Sequence, residues 1–226
     1  MRYSFYLFDA DDTLFDFELG ERCALTATLH EFAICDETAY DEQIKRYIEV
    51  NLALWREFEQ GKIDQATLRI ERFRRWLPAG MDAVAIAVRY LEHLGQQSQM
   101  MPGALETVSH IAQHAPIAIV TNGITEVQTN RLAGSPLAPY VKALVISEAI
   151  GHPKPHPAMF EAAIGAIGGH KETTLMVGDG QDTDIKGALG FGIHACFYNP
   201  HHKPIVNEPT FEIHKLTELI ERERTA

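Results

Sequence analysis

Cysteine, long apolar runs and basic charge are all scarce in this sequence. Its cysteines, Cys23, Cys35 and Cys196, are widely spaced and form no CxxC pattern, which argues against a disulfide framework and a structural zinc site. Lys and Arg together number 20 against 31 Asp and Glu, so the formal net charge is −11. Such a charge disfavours nonspecific binding to a nucleic acid polymer or to an anionic membrane surface.

Membrane and secretion signals are also lacking. No stretch comes near the ~20 apolar residues of a membrane-spanning helix, and the first residues do not have the pattern of a signal peptide. Because free thiols suit a reducing compartment, we expect a cytoplasmic protein with no membrane partner. The composition, 46% hydrophobic and 23% charged, is typical of a soluble globular protein.

The order of the predicted elements divides the chain. Residues 4–8 read as a buried strand, and the sequence then stays helical to about residue 97, with helices predicted over 19–32, 41–58, 64–76 and 82–94. From residue 102, short apolar strands alternate with helices, which is typical of a parallel sheet covered by helices. The predicted fold class is therefore α/β, with an all-helical block inserted after the first strand.

Predicted strands in this second part cover 117–120, 143–146, 174–177 and, as the last strand, 195–198. Helices are predicted over 103–114, 125–132, 157–167 and 184–189.

The acidic stretch after the first strand allows two interpretations. The segment YSFYLFDADDTLFDF places Asp9, Asp11 and Asp12 where the buried strand ends. These acids could form a solvated turn, because Asp is common in turns and at helix N-caps. They could also belong to a site that needs concentrated negative charge, because open α/β sheets bind ligands at the carboxyl ends of their strands.

Further polar clusters favour a site. Thr121-Asn122-Gly123 ends one predicted strand, Lys154 lies in a segment after the next, and Asp179 and Asp184 follow a third. Because parallel strands end on the same side of a sheet, these side chains can converge with the first acids. Carboxylates sharing a cleft would have raised pKa values unless a cation lay among them. Oxygen ligands fit a hard divalent ion, most simply Mg²⁺.

The segments FDADDTLF, IVTNG, GHPKPHP and VGDGQDTDIKGA, in this order, resemble the signature motifs of the haloacid dehalogenase superfamily of phosphohydrolases. The resemblance covers nearly the whole chain. It implies a Rossmann-like catalytic core in residues 1–15 and 98–226, with a helical C1-type cap in residues 16–97. The core of such a protein supplies phosphoryl chemistry, while the cap excludes water and selects substrates.

The resemblance also implies roles for individual residues. Asp9 would be the nucleophile, and Asp11 would protonate the leaving oxygen and then activate water. Thr121, the backbone amide of Asn122, and Lys154 would bind the phosphoryl oxygens, with Lys154 also offsetting negative charge.

The implied metal ion is Mg²⁺. Its ligands would be Asp9, the backbone carbonyl of Asp11, and Asp179. Asp184 would orient Lys154 or a metal-bound water, and Thr13 would steady the acidic loop.

Two positions distinguish the chain from parts of this superfamily. Many members carry Ser or Asn where this chain has Gly180, so a supporting side chain beside the metal site is missing. Dehalogenases proper lack the second acid of the first motif, whereas Asp11 is present here. Phosphate-ester chemistry is therefore favoured over carbon–halogen cleavage.

A subgroup is suggested by the segments NLALWREFEQGKIDQATLRIERF, DADDTLF and TNGITEVQ. They most resemble the 5′-nucleotidases that act on pyrimidine nucleoside monophosphates. The function implied is Mg²⁺-dependent hydrolysis of a small phosphorylated metabolite, a nucleoside monophosphate, through an aspartyl-phosphate. We expect a monomer or a homodimer.

Other functions stay open. Phosphoglycolate- and sugar-phosphate-type phosphatases or mutases share the same core. A non-catalytic protein that binds a phosphorylated metabolite is also an alternative, although mere binding requires no nucleophile beside an acid.

Four histidines could suggest a transition-metal site: His152, His156, His201 and His202. No regular ligand spacing links them, so exposed loops are the favoured interpretation.

Aromatic residues recur at helical spacings in the helical block: Trp55, Phe58, Phe73 and Trp76. We expect them to form its core, with contact to a planar substrate group as the alternative.

Overall fold

The computed structural model describes residues 3–225, so Met1, Arg2 and Ala226, which the predicted core domain includes, lie outside the described residues. The chain forms two compact units. The first unit runs to Phe17 and resumes at Ser98, and the second comprises Glu18–Gln97. No helix of the described residues has the length and apolar character needed to cross a membrane.

The elements follow the predicted order of strand, helical block and alternation. The strands are β1 (Phe5–Phe8), β2 (Ile117–Thr121), β3 (Ala143–Ile146), β4 (Thr174–Gly178), β5 (His194–Tyr198) and β6 (Phe211–Ile213). The α-helices are α1 (Phe17–Glu31), α2 (Tyr40–Glu59), α3 (Gln65–Trp76), α4 (Ala83–Gly95), α5 (Ala104–Ile111), α6 (Thr125–Ala133), α7 (Ser147–Ile150), α8 (Pro157–Ile167), α9 (Lys186–Phe191) and α10 (Glu218–Thr225).

A six-stranded parallel sheet lies at the centre of the first unit, in the order β3-β2-β1-β4-β5-β6. The predicted α/β class is therefore confirmed. Strand β1 lies between β2 and β4, with Phe8 opposite Ile119 on one side and Val177 on the other. The strand order reverses at β1, which is the position where open α/β sheets bind their ligands.

Both faces of this sheet are buried. Alternate residues of β1 point to opposite faces, so Tyr6 and Phe8 belong to one apolar cluster and Leu7 to the other. The first cluster also holds residues of α5 and α10, and the second holds residues of α8 and α9. This two-sided cover explains why the strands read as continuous apolar runs rather than as alternating ones.

Some elements differ from the sequence prediction. Residues 195–198 were expected to form the last strand, but β6 follows, a three-residue strand in which only Ile213 is buried. Helices α7 and α10 were also not predicted. The helix expected over 184–189 begins earlier, as a π-helical turn over Gln181–Ile185 that continues into α9.

The second unit is helical. Two of its helices begin at side-chain caps: Asp64 accepts from the amide of Thr67 at 2.7 Å before α3, and Asp82 accepts from two amides of α4. Its buried aromatic side chains pack edge-on or tilted, with ring centroids 5.1–6.0 Å apart: Tyr47, Phe73, Trp76 and Tyr90.

Phe73 and Trp76 thus lie in the core of the helical unit, as expected. Trp55 and Phe58 are only half-buried and contact each other.

Candidate active site

The carboxyl ends of the central strands bring the predicted residues to one edge of the sheet. Asp9 follows β1 directly, and its amide donates to the carbonyl of Val177 in β4 at 2.9 Å. Thr121 is the last residue of β2, and Asp179 follows the last residue of β4. The parallel register therefore places these three residues side by side, as the sequence argument requires.

A buried lysine links two of the acids. The Nζ of Lys154 lies 2.5 Å from Asp9 Oδ1 and 2.6 Å from Asp184 Oδ1. All three residues are at least nine-tenths buried. Burial lowers the pKa of Lys154, but the adjacent carboxylates of Asp184 and Asp9 outweigh that effect and leave the pKa above its ordinary value. Lys154 is therefore a fixed positive charge beside Asp9.

Asn122 fixes the backbone around this lysine. Its Nδ2 donates to the carbonyl of Lys154 at 3.0 Å, and its Oδ1 accepts from the amide of Lys154 at 2.6 Å. Both polar atoms of the Asn122 side chain therefore bond to the backbone of Lys154. The role expected for the backbone amide of Asn122, contact with phosphate, stays a prediction.

Three carboxylates can converge on one cation. Asp9, Asp179 and Asp184 each offer an oxygen, and these oxygens lie within 4.8 Å of one another. Among the side chains that the structure describes, no other group of three His, Cys, Asp or Glu residues meets that criterion, so His152, His156, His201 and His202 belong to no such group. A set of oxygen donors suits a hard divalent cation.

The electrostatics of the acids also fit a cation. Burial raises the pKa of Asp9 well above its ordinary value, and the negative charges of Asp184, Asp11 and Asp179 raise it further, against the opposing effect of Lys154. A divalent ion among these groups would relieve that repulsion and favour their ionised forms. The residues present therefore fit the metal ion that the motifs imply.

Asp179 has two further contacts. Its amide donates to the hydroxyl of Thr13 at 3.1 Å, so Thr13 joins the loops that follow β1 and β4. Its Oδ2 lies 3.4 Å from the Nζ of Lys203, a half-exposed lysine beyond β5. Burial and the charge of Asp184 raise the pKa of Asp179 to about 6, although Lys203 acts in the opposite direction.

Gly180 leaves room for the neighbouring side chains. A Cβ at this position would lie 2.2 Å from the hydroxyl oxygen of Thr183 and 2.9 Å from Asp184 Oδ2. The amide of Gly180 donates to that same Oδ2 at 2.9 Å. The space that a Ser or Asn side chain would use is thus taken by Thr183, whose hydroxyl lies beside Asp184.

Asp11 faces α6. Its Oδ1 accepts from Arg131 Nη1, and its Oδ2 accepts from Gln128 Nε2 at 2.7 Å. Its carboxylate is absent from the three-acid group, and the role expected for its backbone carbonyl, contact with a metal, stays a prediction.

Sequence reasoning did not identify Gln128, Arg131 or Lys203. Gln128 and Arg131 are three residues apart on α6 and so share a face of that helix, but nothing in the local sequence indicates that this polar face is buried. Lys203 reaches Asp179 because its loop folds back onto the sheet edge. That loop is held by Gln181, whose side chain bonds to Pro204, Val206 and Asn207.

The histidines have structural contacts instead. His152 and His156 stack with ring centroids 3.9 Å apart, and His156 caps α8 by accepting from the amide of Ala158. His202 lies against His214 with ring centroids 4.2 Å apart.

This sheet and the acids at its edge lie in a part of the chain that matches a known family of hydrolases. Residues 3–192 match the family model described as haloacid dehalogenase-like hydrolase. The chain belongs to this family. The prediction of a phosphatase of the haloacid dehalogenase superfamily is thereby confirmed.

Particular relatives support the subgroup resemblance. The chain is 38% identical to the pyrimidine 5′-nucleotidase PynA of Streptococcus pneumoniae over 98% of this chain and 95% of the relative. It is 31% identical to the pyrimidine 5′-nucleotidase YjjG of Escherichia coli, with 97% of each chain covered. The magnesium-bound crystal structure of the HAD-hydrolase YfnB of Bacillus subtilis superposes with a TM-score of 0.89 at 34% identity, covering 98% of this chain and 99% of that one.

Proposed function

We propose that this protein hydrolyses small phosphomonoesters in two steps, with Asp9 as nucleophile and a nucleoside monophosphate as substrate. One observation carries the proposal: Asp9 is buried beside the Lys154 ammonium, within reach of two further carboxylates at the carboxyl edge of the sheet. A buried carboxylate whose charge is offset at one oxygen can approach an anionic phosphate without prohibitive repulsion.

In the first step an oxygen of Asp9 attacks phosphorus. The bond from phosphorus to the ester oxygen breaks, and its electron pair stays on the leaving oxygen, which takes a proton from Asp11. Lys154, together with the hydroxyl of Thr121, offsets the charge of the transferred group.

In the second step water attacks phosphorus. Its proton passes to the carboxylate of Asp11, and the bond between phosphorus and Asp9 breaks with its electron pair returning to Asp9. The products are an alcohol and inorganic phosphate, and both acids regain their starting states.

Asp9, Asp179 and the backbone carbonyl of Asp11 are proposed to hold Mg²⁺, with Asp184 supporting them through Lys154. When bound, this ion supplies positive charge that stabilises the phosphoryl oxygens and lowers the repulsion between the acids. The fit of the donor set and the magnesium in the related YfnB structure support this choice.

The substrate class rests on the two nucleotidase relatives, which match over nearly the whole chain. The helical unit Glu18–Gln97 is proposed to act as the cap that selects the leaving group.

A phosphate-release screen tests the proposal. Uridine, cytidine and thymidine monophosphates, phosphoglycolate and sugar phosphates are each incubated with the protein in Mg²⁺ and in EDTA. We expect Mg²⁺-dependent release, fastest with the pyrimidine nucleotides, and none from Asp9→Asn.

The outcomes test the substrate assignment and the mechanism separately. Faster hydrolysis of phosphoglycolate or of a sugar phosphate contradicts the nucleotidase assignment alone. Equal activity in Asp9→Asn and the parent contradicts the mechanism.

A further inference from the structure

Helix α6 supplies a donor to each oxygen of Asp11. Arg131 Nη1 contacts Oδ1, and Gln128 Nε2 donates to Oδ2 at 2.7 Å. Both donors are buried, with relative exposures of 0% for Arg131 and 2% for Gln128. Two donors on one rigid element fix both the position and the plane of the Asp11 carboxyl group.

Arg131 also contacts two aromatic rings, one in the loop that carries Asp11 and one on the first residue of α1. Its guanidinium carbon lies 4.7 Å from the ring centroid of Phe15 and 5.8 Å from that of Phe17. Planar guanidinium groups stack well on aromatic faces, and a buried one has little freedom to move. The loop after β1 and the last turn of α6 are therefore held together through Arg131.

Gly123 makes this arrangement possible. A Cβ on Gly123 would lie 2.4 Å from Gln128 Nε2, closer than real side chains approach. Any larger residue would displace the Gln128 amide from Asp11. The motif that provides Thr121 thus also provides the space through which Gln128 reaches the acid.

We propose that Arg131 and Gln128 are positioning residues that aim Asp11 at the ester oxygen. This inference rests on the proposed function, in which Asp11 gives its proton to the leaving oxygen and later takes one from water. Neither side chain exchanges a proton or contacts the reacting atoms in this role. Their contribution is to hold the carboxyl group where proton transfer occurs, and misplacement by about 1 Å can cost about 100-fold in rate.

Two esters distinguish positioning from general support of the fold. p-Nitrophenyl phosphate has a leaving group that departs with little protonation, whereas the alkoxide of uridine monophosphate requires it. Both esters share the second step, so the comparison uses kcat/KM, which reports only the steps up to the formation of phospho-Asp9. We expect Arg131→Met to lower kcat/KM on uridine monophosphate about 10- to 100-fold more than on p-nitrophenyl phosphate.

Gln128→Leu is a second variant, which keeps the inference testable if Arg131→Met does not fold. The Oε1 of Gln128 is buried with no hydrogen-bond partner among the described residues, so an apolar side chain of similar size loses only the bond from Nε2 to Asp11 Oδ2. The same preferential loss on uridine monophosphate is expected. The matched control is Gln113→Leu, an exposed glutamine outside the site, which should leave both rates unchanged.

A double-mutant cycle with Asp11→Asn completes the test. If Arg131 acts through Asp11, adding Arg131→Met to Asp11→Asn leaves the ratio of the two kcat/KM values unchanged. The inference is overturned if the single variants lower kcat/KM equally on both esters, or if that ratio still changes in the Asp11→Asn background. Either of these outcomes with an active parent contradicts this inference alone. A parent that hydrolyses neither ester contradicts the proposed function as well.

Discussion

At the scale of single residues, the acids differ in what surrounds them. Asp9 and Asp184 are buried against Lys154, whereas Asp179 retains access to solvent and forms an ion pair with the half-exposed Lys203. Asp179 therefore combines a raised pKa with contact with solvent.

The stability of the metal-free protein should depend on this residue. Burial and Asp184 raise the pKa of Asp179 from 3.8 to about 6, so the folded state binds this proton more tightly than the unfolded chain. The resulting stabilisation is complete below the ordinary pKa and is lost as the pH rises through about 6. In EDTA, we expect Asp179→Asn to be more stable than the parent above this value, by urea unfolding at several pH values.

The matched control is Asp182→Asn, an exposed acid in the same loop. An Asp179→Asn curve that runs parallel to that of the parent across this pH range would contradict the raised pKa.

The sequence predicts the positions of Asp9, Thr121 and Asp179 because one rule, the common edge of parallel strands, brings them together. The contacts of Arg131 could not be predicted in the same way. They depend on how Phe15 and Phe17 pack against a helix more than a hundred residues later in the chain, which no local pattern encodes.

At the scale of elements, the loops after the strands hold one another. The side chain of Asn122, after β2, bonds to both backbone groups of Lys154, which lies between α7 and α8. These bonds fix the backbone of Lys154, while its ammonium group contacts Asp9 and Asp184.

Loss of this contact should reduce activity. Asn122→Ala removes both hydrogen bonds, so we expect a loss of about 1–3 kcal/mol in the free energy of unfolding and a kcat lower by about 10- to 100-fold as Lys154 becomes less well placed. Phosphate release and urea unfolding measure the two effects. Asn130→Ala, an exposed asparagine on α6, is the control. Unchanged kcat in Asn122→Ala would contradict the role given to this contact.

The elements predicted best are those with long apolar patterns, such as α2, α3, α4 and the five strands from β1 to β5. Strand β6 was missed because its three residues carry one fully buried side chain, too little for a periodic signal. The π-helical turn over Gln181–Ile185 begins before the helix predicted over 184–189, and no composition distinguishes such a turn from an ordinary helix.

At the scale of the whole molecule, charge and metal binding are linked. The net charge of −11 means that any salt stabilises the folded state by screening repulsion. A specific Mg²⁺ site adds a contribution that depends on the logarithm of the ion concentration.

We therefore expect Mg²⁺ to stabilise the protein more than NaCl of equal ionic strength does. At 100 times its dissociation constant, the ion should add about 2.7 kcal/mol to the free energy of unfolding. Thermal unfolding measures this difference, and Asp179→Asn should abolish most of it. Equal stabilisation by the two salts would contradict a magnesium site at these acids.

The central claim is that Asp9 carries the phosphoryl group between the two steps. The most direct measurement is acid quenching of Asp11→Asn during turnover of p-nitrophenyl phosphate in Mg²⁺, followed by mass spectrometry of its peptides. Because this variant lacks the base that activates water, we expect phosphate to accumulate on the peptide containing Asp9, and on no peptide of Asp9→Asn. Phosphate release from an active parent, with no phosphorylated Asp9 at any time of quenching, would contradict the account.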